Sequence, residues 1–294
     1  MAVQSASPTV AAAIQRTAAR FGAARLTYGH GTLNAREEAA WIVLHACGIA
    51  FEDLDAQATR ELTPTETRRL DKLAGRRIHE RVPAAYLTHE AWLGDFRFYV
   101  DRRVIVPRSF IAELLPDGLA PFLQRPVRRA LDMCTGSGCL AVLLAHAYPD
   151  AKVDAADLSA GALAVAKRNV ADYRLASRVR LVRSNLFDSI ASRRYDLIVS
   201  NPPYVDAAAM ACLPDEYRAE PRMALAGGKD GLVLVHRIMQ AARRQLNPRG
   251  VLVCEIGHNK RALERACPRI PFTWLDTSAG DRYVFLLERG QLPG

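Results

Sequence analysis

The feature that most restricts the fold is an alternation of apolar runs and helical segments that begins near residue 128. Chains with this pattern form a parallel sheet with helices on both faces, because each crossover between parallel strands needs a connecting segment. The last two runs, in FTWLDTSAGDRYVFLLER, are joined by a short polar turn, so we expect the final strand to run antiparallel. We predict a seven-stranded, mostly parallel sheet whose first five strands come from RRALDMC, AKVDAADLS, RVRLVRSN, YDLIVSN and GVLVCEIG.

Polar residues and glycines mark where the predicted helices begin and end. The segment NAREEAAWIVLHACG lies between Asn34, a capping residue, and Gly48, a common stop. The segment TPTETRRLDKLAGRRIHER opens with a capping box formed by Thr63 and Glu66. Farther along, GLVLVHRIMQAARRQLNPRG predicts a long helix that closes at Gly250.

Three regions follow from these patterns. The chain upstream of residue 85 is helical in periodicity. The stretch WLGDFRFYVDRRVIVPR then alternates apolar and polar residues, which predicts a pair of strands. We therefore predict a small helical domain over 1–84, a β-hairpin linker over 85–115, and an α/β domain over 116–294.

Charge and cysteine content limit the partners. The net charge of +9 and pI near 9.5 favour an acidic partner, although 35 of the 40 basic residues are arginine, which a general arginine bias also explains. The six cysteines show no CxxC spacing, so we predict no metal site. The start MAVQSASPTVAAAIQR lacks a basic, apolar leader, and MCTGSGCLAVLLAHAYP is broken by glycines, so we expect a cytoplasmic protein without membrane contact.

A nucleotide-type site is predicted at the first strand-to-helix turn, ALDMCTGSGCLA. Gly136, Gly138 and Ala141 satisfy G-x-G-x-x-A, where glycine lets a ligand approach the backbone. Asp157 ends the second strand, where a carboxylate can accept both hydroxyls of a ribose. The alternative reading of Asp157 is a cap for the helix that follows.

Two cofactors suit such a turn: a nicotinamide dinucleotide and S-adenosylmethionine. Asp132, just before the turn, favours S-adenosylmethionine, because its carboxylate can face a cationic amino acid group and would repel a pyrophosphate. At the end of the third strand, Asn185 and Leu186 are candidates for adenine, with ordinary loop chemistry as the alternative. The predicted cofactor contacts are Asp132, Cys134, Thr135, Gly136, Ser137, Gly138, Asp157, Leu158, Asn185, Leu186 and Asn201.

The stretches DMCTGSGC, VDAADLS, DLIVSNPPYV and EPRMALAGGKDGL resemble the HemK/PrmC-like protein glutamine N5-methyltransferases over nearly the whole chain after residue 10. LTYGHGTLNAREEAAWIVLHA and DMCTGSGC resemble the PrmB branch, which modifies large-subunit ribosomal protein three. The resemblance implies a class I, Rossmann-like methyltransferase whose residues 1–84 recognise the substrate. Asn185 stands where the wider family commonly has aspartate.

The residue types of the N-P-P-Y segment predict a clamp that holds a planar nitrogen. A carboxamide nitrogen is a poor nucleophile, so it must be held with its lone pair aimed at the methyl carbon. The Asn201 side-chain oxygen and the Pro202 carbonyl can each accept one N–H, and Tyr204 offers a flat face. We predict these three residues to be catalytic. The alternative is a proline turn that caps a strand.

Two further segments are expected at the substrate. The loop EPRMALAGGKDG is similar to the family's closing loop, with Glu220 as a contributor, although its glycines also suit a flexible surface turn. The linker ends in Val106, Pro107, Arg108 and Ser109, which we expect at the substrate entrance. The predicted substrate contacts are Asn201, Pro202, Pro203, Tyr204, Pro107, Arg108 and Glu220.

Three classes of function stay open once the resemblance is added to the residues. The favoured one is methylation of a glutamine in large-subunit ribosomal protein three, free or within an assembling particle, with nucleic acid near only through the ribosome. The alternatives are a release-factor glutamine methyltransferase and an adenine N6-type nucleic-acid methyltransferase, since a flipped base also fits N-P-P-Y. A non-enzymatic ribosome-assembly factor is the third class.

Overall fold

The computed structural model describes residues 7–294, which form two compact units. The first unit consists of the described residues up to Glu90 together with Pro214–Ala219, and the second of Ala91–Leu213 and Glu220–Gly294. The helices are α1 Val10–Ala23, α2 Ala35–Cys47, α3 Leu54–Gln57, α4 Pro64–His79, α5 Ala84–Thr88, α6 Cys139–Ala147, α7 Ala160–Asp172, α8 Ala207–Ala211, α9 Asp215–Arg218, α10 Val233–Gln245 and α11 Lys260–Ala266. The strands are β1 Glu90–Leu93, β2 Phe96–Tyr99, β3 Arg129–Met133, β4 Lys152–Asp157, β5 Val179–Arg183, β6 Tyr195–Ser200, β7 Leu246–Glu255, β8 Thr273–Leu275 and β9 Val284–Glu288.

The first unit is helical; α2 and α4 begin at the predicted caps, whereas the short helices α3 and α5 were not predicted. The Asn34 side chain accepts the N–H groups of Arg36 and Glu37 at the start of α2, which ends at the left-handed Gly48. Both hydrogen bonds of the Thr63–Glu66 capping box are formed in α4. Within residues 7–294, no helix combines the length and apolarity needed to cross a bilayer. Residues 1–6, part of the stretch read for a leader, lie outside the description.

A buried ionic cluster in the first unit includes α9, the helix that comes from residues 214–219. Arg77 is fully buried and donates to Glu38 at 2.6 Å and to Glu216 at 3.2 Å. Glu216 also accepts the N–H of Thr27 at 3.0 Å. Buried charges need such partners, because an unpaired ion inside a protein is costly. The cluster therefore fixes the 214–219 segment within the helical unit.

The second unit contains the predicted seven-stranded sheet, in the order β5-β4-β3-β6-β7-β9-β8. Strands β3 to β7 pair in parallel, and β9, the last strand, is antiparallel to both β7 and β8. The predicted strand pair is also present, as the separate two-stranded sheet of β1 and β2. The chain builds outward from β3 to β5 and then returns to place β6 on the other side of β3. This reversal opens a crevice at the carboxyl ends of the strands.

Alternating residues of the central strands divide the core between the two faces of the sheet. On one face, Ala130, Val153 and Val199 belong to the cluster formed with α6 and α7. On the other, Leu131 and Ile198 pack with α10 and α11. The period-two alternation in the strands is what lets both faces be covered by helices.

One predicted boundary is wrong. Helix α10 ends at Gln245 rather than at Gly250, and β7 begins at once with Leu246, which pairs with Tyr195. Pro248 explains the early end, because proline in a helix interior removes a hydrogen bond and clashes with the preceding turn. Gly250 lies inside β7, where an added Cβ would come within 3.0 Å of the Tyr195 carbonyl oxygen.

Candidate active site

A cleft opens where the carboxyl ends of β3, β4 and β6 meet, which is the crevice expected from the strand order. It also receives residues from the linker and from the loop after β6. The predicted site residues that line it are Cys134, Gly136, Asp157, Leu158, Asn185, Leu186, Asn201 and Pro203. The sheet topology thus brings together residues that are up to 69 positions apart in the sequence, from Cys134 to Pro203.

Glycine is needed at the two positions of the first turn for different structural reasons. Gly136 has a φ of +55° and open space where a side chain would stand, so a ligand can approach its backbone. Gly138 has a φ of +80°, and a Cβ there would lie 3.0 Å from Cβ of Ala166. Gly138 therefore allows α6 and α7 to pack closely, while Gly136 faces the cleft.

Asp157 lies at the end of β4, and each of its two carboxylate oxygens accepts one backbone N–H. Oδ2 accepts the N–H of Gly136 at 2.9 Å, and Oδ1 accepts the N–H of Ser159 at 2.8 Å. The cap of α7 is Ser159, whose hydroxyl accepts the N–H of Ala162. Burial raises the pKa of Asp157. Each carboxylate oxygen keeps one lone pair for a ligand in the cleft.

Asp132 is a buried acid with one unsatisfied oxygen. The Thr135 hydroxyl donates to Oδ2 at 2.5 Å, whereas Oδ1 has no hydrogen-bond donor within residues 7–294. Burial raises the pKa of Asp132 to about 7. A buried carboxylate with a spare oxygen is stabilised by a cationic ligand. Ser137, the next polar residue of the turn, uses its carbonyl to accept the side-chain N–H of Asn169 at 2.8 Å.

The N-P-P-Y segment follows β6 directly and is fixed at several points. The Ser200 hydroxyl donates to the Met133 carbonyl at 2.8 Å, which ties the end of β6 to β3. The Tyr204 carbonyl accepts the side-chain N–H of Asn259 at 2.9 Å. Val205 then pairs with Leu225, its N–H donating at 2.9 Å. The clamp is therefore held by three other parts of the second unit.

The phenol of Tyr204 contacts a buried acid that the sequence analysis missed. Its hydroxyl donates to Oε1 of Glu255, the last residue of β7, at 3.2 Å. Oε2 of Glu255 accepts the Ser109 hydroxyl at 2.7 Å and the N–H of Phe110 at 2.9 Å. Burial raises the pKa of Glu255 to about 7. The signal was a carboxylate after four buried apolar residues in GVLVCEIG.

Glu220 forms a fork-shaped ion pair with Arg108. The two Arg108 nitrogens donate to the two carboxylate oxygens, each at 2.6 Å, and the N–H of Val106 donates to Oε1 at 2.9 Å. The Glu220 side chain is fully buried. Bidentate pairs of this kind fix geometry as well as charge. Glu220 thereby holds the Val106–Arg108 segment, and contact between these residues and a substrate stays a prediction.

Known proteins fit this architecture in both units. The family model described as PrmC N-terminal domain matches residues 13–88, and the one described as Methyltransferase small domain matches residues 115–213. Among solved structures, the hMettl16 catalytic domain in complex with a 3'UTR hairpin has a TM-score of 0.52 at 17% identity. That likeness covers 76% of this chain and 81% of that one, and it shows the class I methyltransferase fold alone.

Curated relatives are far more similar in sequence. A ribosomal protein uL3 glutamine methyltransferase of Neisseria meningitidis serogroup A is 51% identical over 97% of this chain and 95% of its own. The protein of the same name in Bordetella pertussis is 53% identical over 95% and 94%. In Burkholderia pseudomallei the figures are 49% identity over 97% and 96%. With this similarity along nearly the whole length, the chain belongs to the family of ribosomal protein uL3 glutamine methyltransferases.

Proposed function

We propose that this protein transfers a methyl group from S-adenosylmethionine to the side-chain amide nitrogen of a glutamine in ribosomal protein uL3. The observation that carries the proposal is the position of Asn201 and Pro203 in the same cleft as Gly136 and Asp157. A clamp for a planar nitrogen thus lies beside a site with the features of a nucleoside pocket. The family relationship supports uL3 as the substrate.

The residues present fit S-adenosylmethionine. The free lone pairs of Asp157 suit two ribose hydroxyls, and the open face of Gly136 allows close approach. The unsatisfied oxygen of Asp132 suits the ammonium of the amino acid portion. Asn185 and Leu186 border the same cleft, and we assign them to the adenine. When bound, this cofactor supplies an electrophilic methyl group on a sulfonium.

The chain's own task is to hold and orient the glutamine amide. The Asn201 side-chain oxygen and the Pro202 carbonyl accept its two N–H hydrogens, and the ring of Tyr204 fixes its plane. These acceptors also stabilise the positive charge that develops on nitrogen, with about 3 kcal/mol from each well-placed contact. The methylated nitrogen then loses a proton to water, so no strong base is needed.

The remaining predicted contacts surround this centre. The Arg108–Glu220 pair holds Pro107 and its neighbours, which we assign to the substrate entrance. Cys134, Thr135, Ser137, Gly138 and Leu158 shape the cofactor turn. We assign substrate recognition to residues 1–84, the linking role to 85–115 and catalysis to 116–294. The reaction takes place in the cytoplasm, on uL3 alone or within an assembling ribosomal particle.

Methyl transfer from labelled S-adenosylmethionine tests the function directly. Purified protein is incubated separately with uL3, with ribosomal RNA and with release factors, and mass spectrometry locates the label. We expect a single methylated glutamine in uL3 and much less label when Asn201→Ala replaces the wild-type enzyme. Label in RNA or in release factors with none in uL3 would contradict the proposal.

A further inference from the structure

Glu255 occupies a position in the sheet that places it beside the catalytic segment. Ser200 pairs with Cys254 in the β6–β7 register, so Glu255 stands one residue beyond this pair, where Asn201 begins the N-P-P-Y segment. The side chain is buried, with a relative exposure of 1% for the residue. A buried carboxylate at the end of a strand has a large desolvation cost and persists only where its partners hold it.

Three groups donate hydrogen bonds to Glu255. The N–H of Phe110 can act only as a donor. The Ser109 hydroxyl donates to Oε2 of Glu255 at 2.7 Å, and its oxygen also accepts the N–H of Ile111 at 3.3 Å. Burial raises the pKa of the Tyr204 phenol, which keeps the phenol protonated and able to donate. Three converging donors favour the ionised form of the Glu255 carboxylate.

The ring of Tyr204 has little freedom apart from its hydroxyl. A Cβ at Gly257 would lie 2.6 Å from Cε2 of the ring, so the backbone after β7 packs directly on one edge of the phenol. A Cβ at Gly227 would lie 2.7 Å from Cα of Tyr204. The Asn259 side chain holds the Tyr204 carbonyl. The backbone of Tyr204 is thus fixed from several sides, and Glu255 fixes the far end of its side chain.

From these contacts we infer that Glu255 is a positioning residue for methyl transfer: its ionised carboxylate holds the Tyr204 phenol, and through it the aromatic face, in the orientation that receives the substrate amide. This inference rests on the proposed function and adds a residue to it. Glu255 also joins Tyr204 to Ser109 and Phe110, so the linker and the clamp share one anchor.

Protonation of Glu255 would reverse this arrangement. A hydrogen on Oε1 would donate to the Tyr204 oxygen and force the phenol hydrogen to turn away from the carboxylate. The other titratable or charged groups near Glu255 in the described structure are Arg108, which lowers its pKa, and the neighbouring Cys254 thiol. Since burial raises the pKa of Glu255 to about 7, the reversal falls in the neutral range.

The first experiment measures kcat against pH at saturating cofactor and uL3. The wild-type enzyme should lose turnover on the acidic side with a midpoint near pH 7. Glu255→Gln should lower kcat about tenfold, because a less firmly held Tyr204 ring orients the substrate amide poorly for methyl transfer. The same change should abolish the loss of turnover at acidic pH (the acidic limb). Ser109→Ala, which removes one donor and so raises the pKa of Glu255, should move the limb to higher pH.

The matched control is Glu264→Gln, the same isosteric change at an exposed residue of α11, which should behave as wild type. Cofactor affinity, measured by calorimetry, should be unchanged in Glu255→Gln. Asp132 also titrates near pH 7, but it faces the cofactor, so saturation removes its effect from kcat. Wild-type turnover with an unchanged acidic limb in Glu255→Gln would overturn the inference.

A second readout does not depend on the substrate. In protein carrying ¹³C at the tyrosine Cζ, the Tyr204 resonance, assigned with Tyr204→Phe, should titrate with a midpoint near pH 7. The resonance should stay flat in Glu255→Gln. Identical titration in both proteins would overturn the positioning role even if uL3 is methylated. A wild-type enzyme that leaves uL3 unmethylated would instead overturn the proposed function, and the resonance would still decide the inference.

Discussion

Asp157→Ala should weaken S-adenosylmethionine binding about a hundredfold. The carboxylate offers four lone-pair positions, of which Gly136 and Ser159 use two. Two remain for the ribose hydroxyls, and a hydrogen bond to a charged acceptor contributes about 1.5 kcal/mol or more. Two such bonds amount to about 3 kcal/mol, which is about two orders of magnitude in Kd.

Isothermal titration calorimetry on the wild type and Asp157→Ala measures this loss. The control is Asp172→Ala, which removes a carboxylate from the exposed end of α7, where it forms a long 3.9 Å ion pair with Arg168. The control should bind as wild type. A Kd for Asp157→Ala within about threefold of the wild-type value would refute the ribose assignment. The loss of two hydrogen bonds to a charged acceptor should change the binding free energy by more than that. Asp157 would then serve only to order the turn at Gly136.

Three other changes test separate parts of the structure. Asn201→Ala should leave cofactor affinity nearly unchanged and slow methyl transfer about a hundredfold in single-turnover assays, because we assign its side-chain oxygen chiefly to the substrate amide. Cofactor affinity, measured by calorimetry, should rise from pH 6 to pH 8 as Asp132 ionises, and Asp132→Asn should remove this slope. Because the folded-state pKa of Asp132 lies above its usual value of 3.8, the free energy of unfolding without cofactor should fall as pH rises through about 7. Glu216→Ala should cost about 3–5 kcal/mol in urea denaturation because it leaves Arg77 buried beside a single acid, whereas Glu80→Ala at an exposed pair should cost under about 1 kcal/mol.

The parts of the site that the sequence predicted are those where one strand end carries a local pattern. Gly136, Asp157 and the segment from Asn201 follow directly on apolar runs, and a parallel sheet brings such ends to one edge. The distinction between Gly136 and Gly138 could not be read in this way. It depends on Ala166 in a helix two elements away.

The contacts that were not predicted join residues that are far apart in the sequence but close in the structure. Glu255 lies 51 residues from Tyr204 and 146 from Ser109. Glu220 lies 112 residues from Arg108. Local propensity and periodicity describe one element at a time, so they carry no information on which loop a given acid will meet. Only the completed sheet, with β7 beside β6, sets these pairs.

The membership of Pro214–Ala219 in the helical unit has a consequence for biosynthesis. A ribosome makes the chain from the N-terminus, and domains generally fold in that order. Here the first unit lacks Glu216, a partner of its buried Arg77, until 216 residues have been made. By then the strands from β3 to β6 already exist. The N-terminal helices therefore cannot reach their final packing early in translation, and a gene cut between residues 90 and 91 would give a first piece that lacks Pro214–Ala219, a part of its own unit.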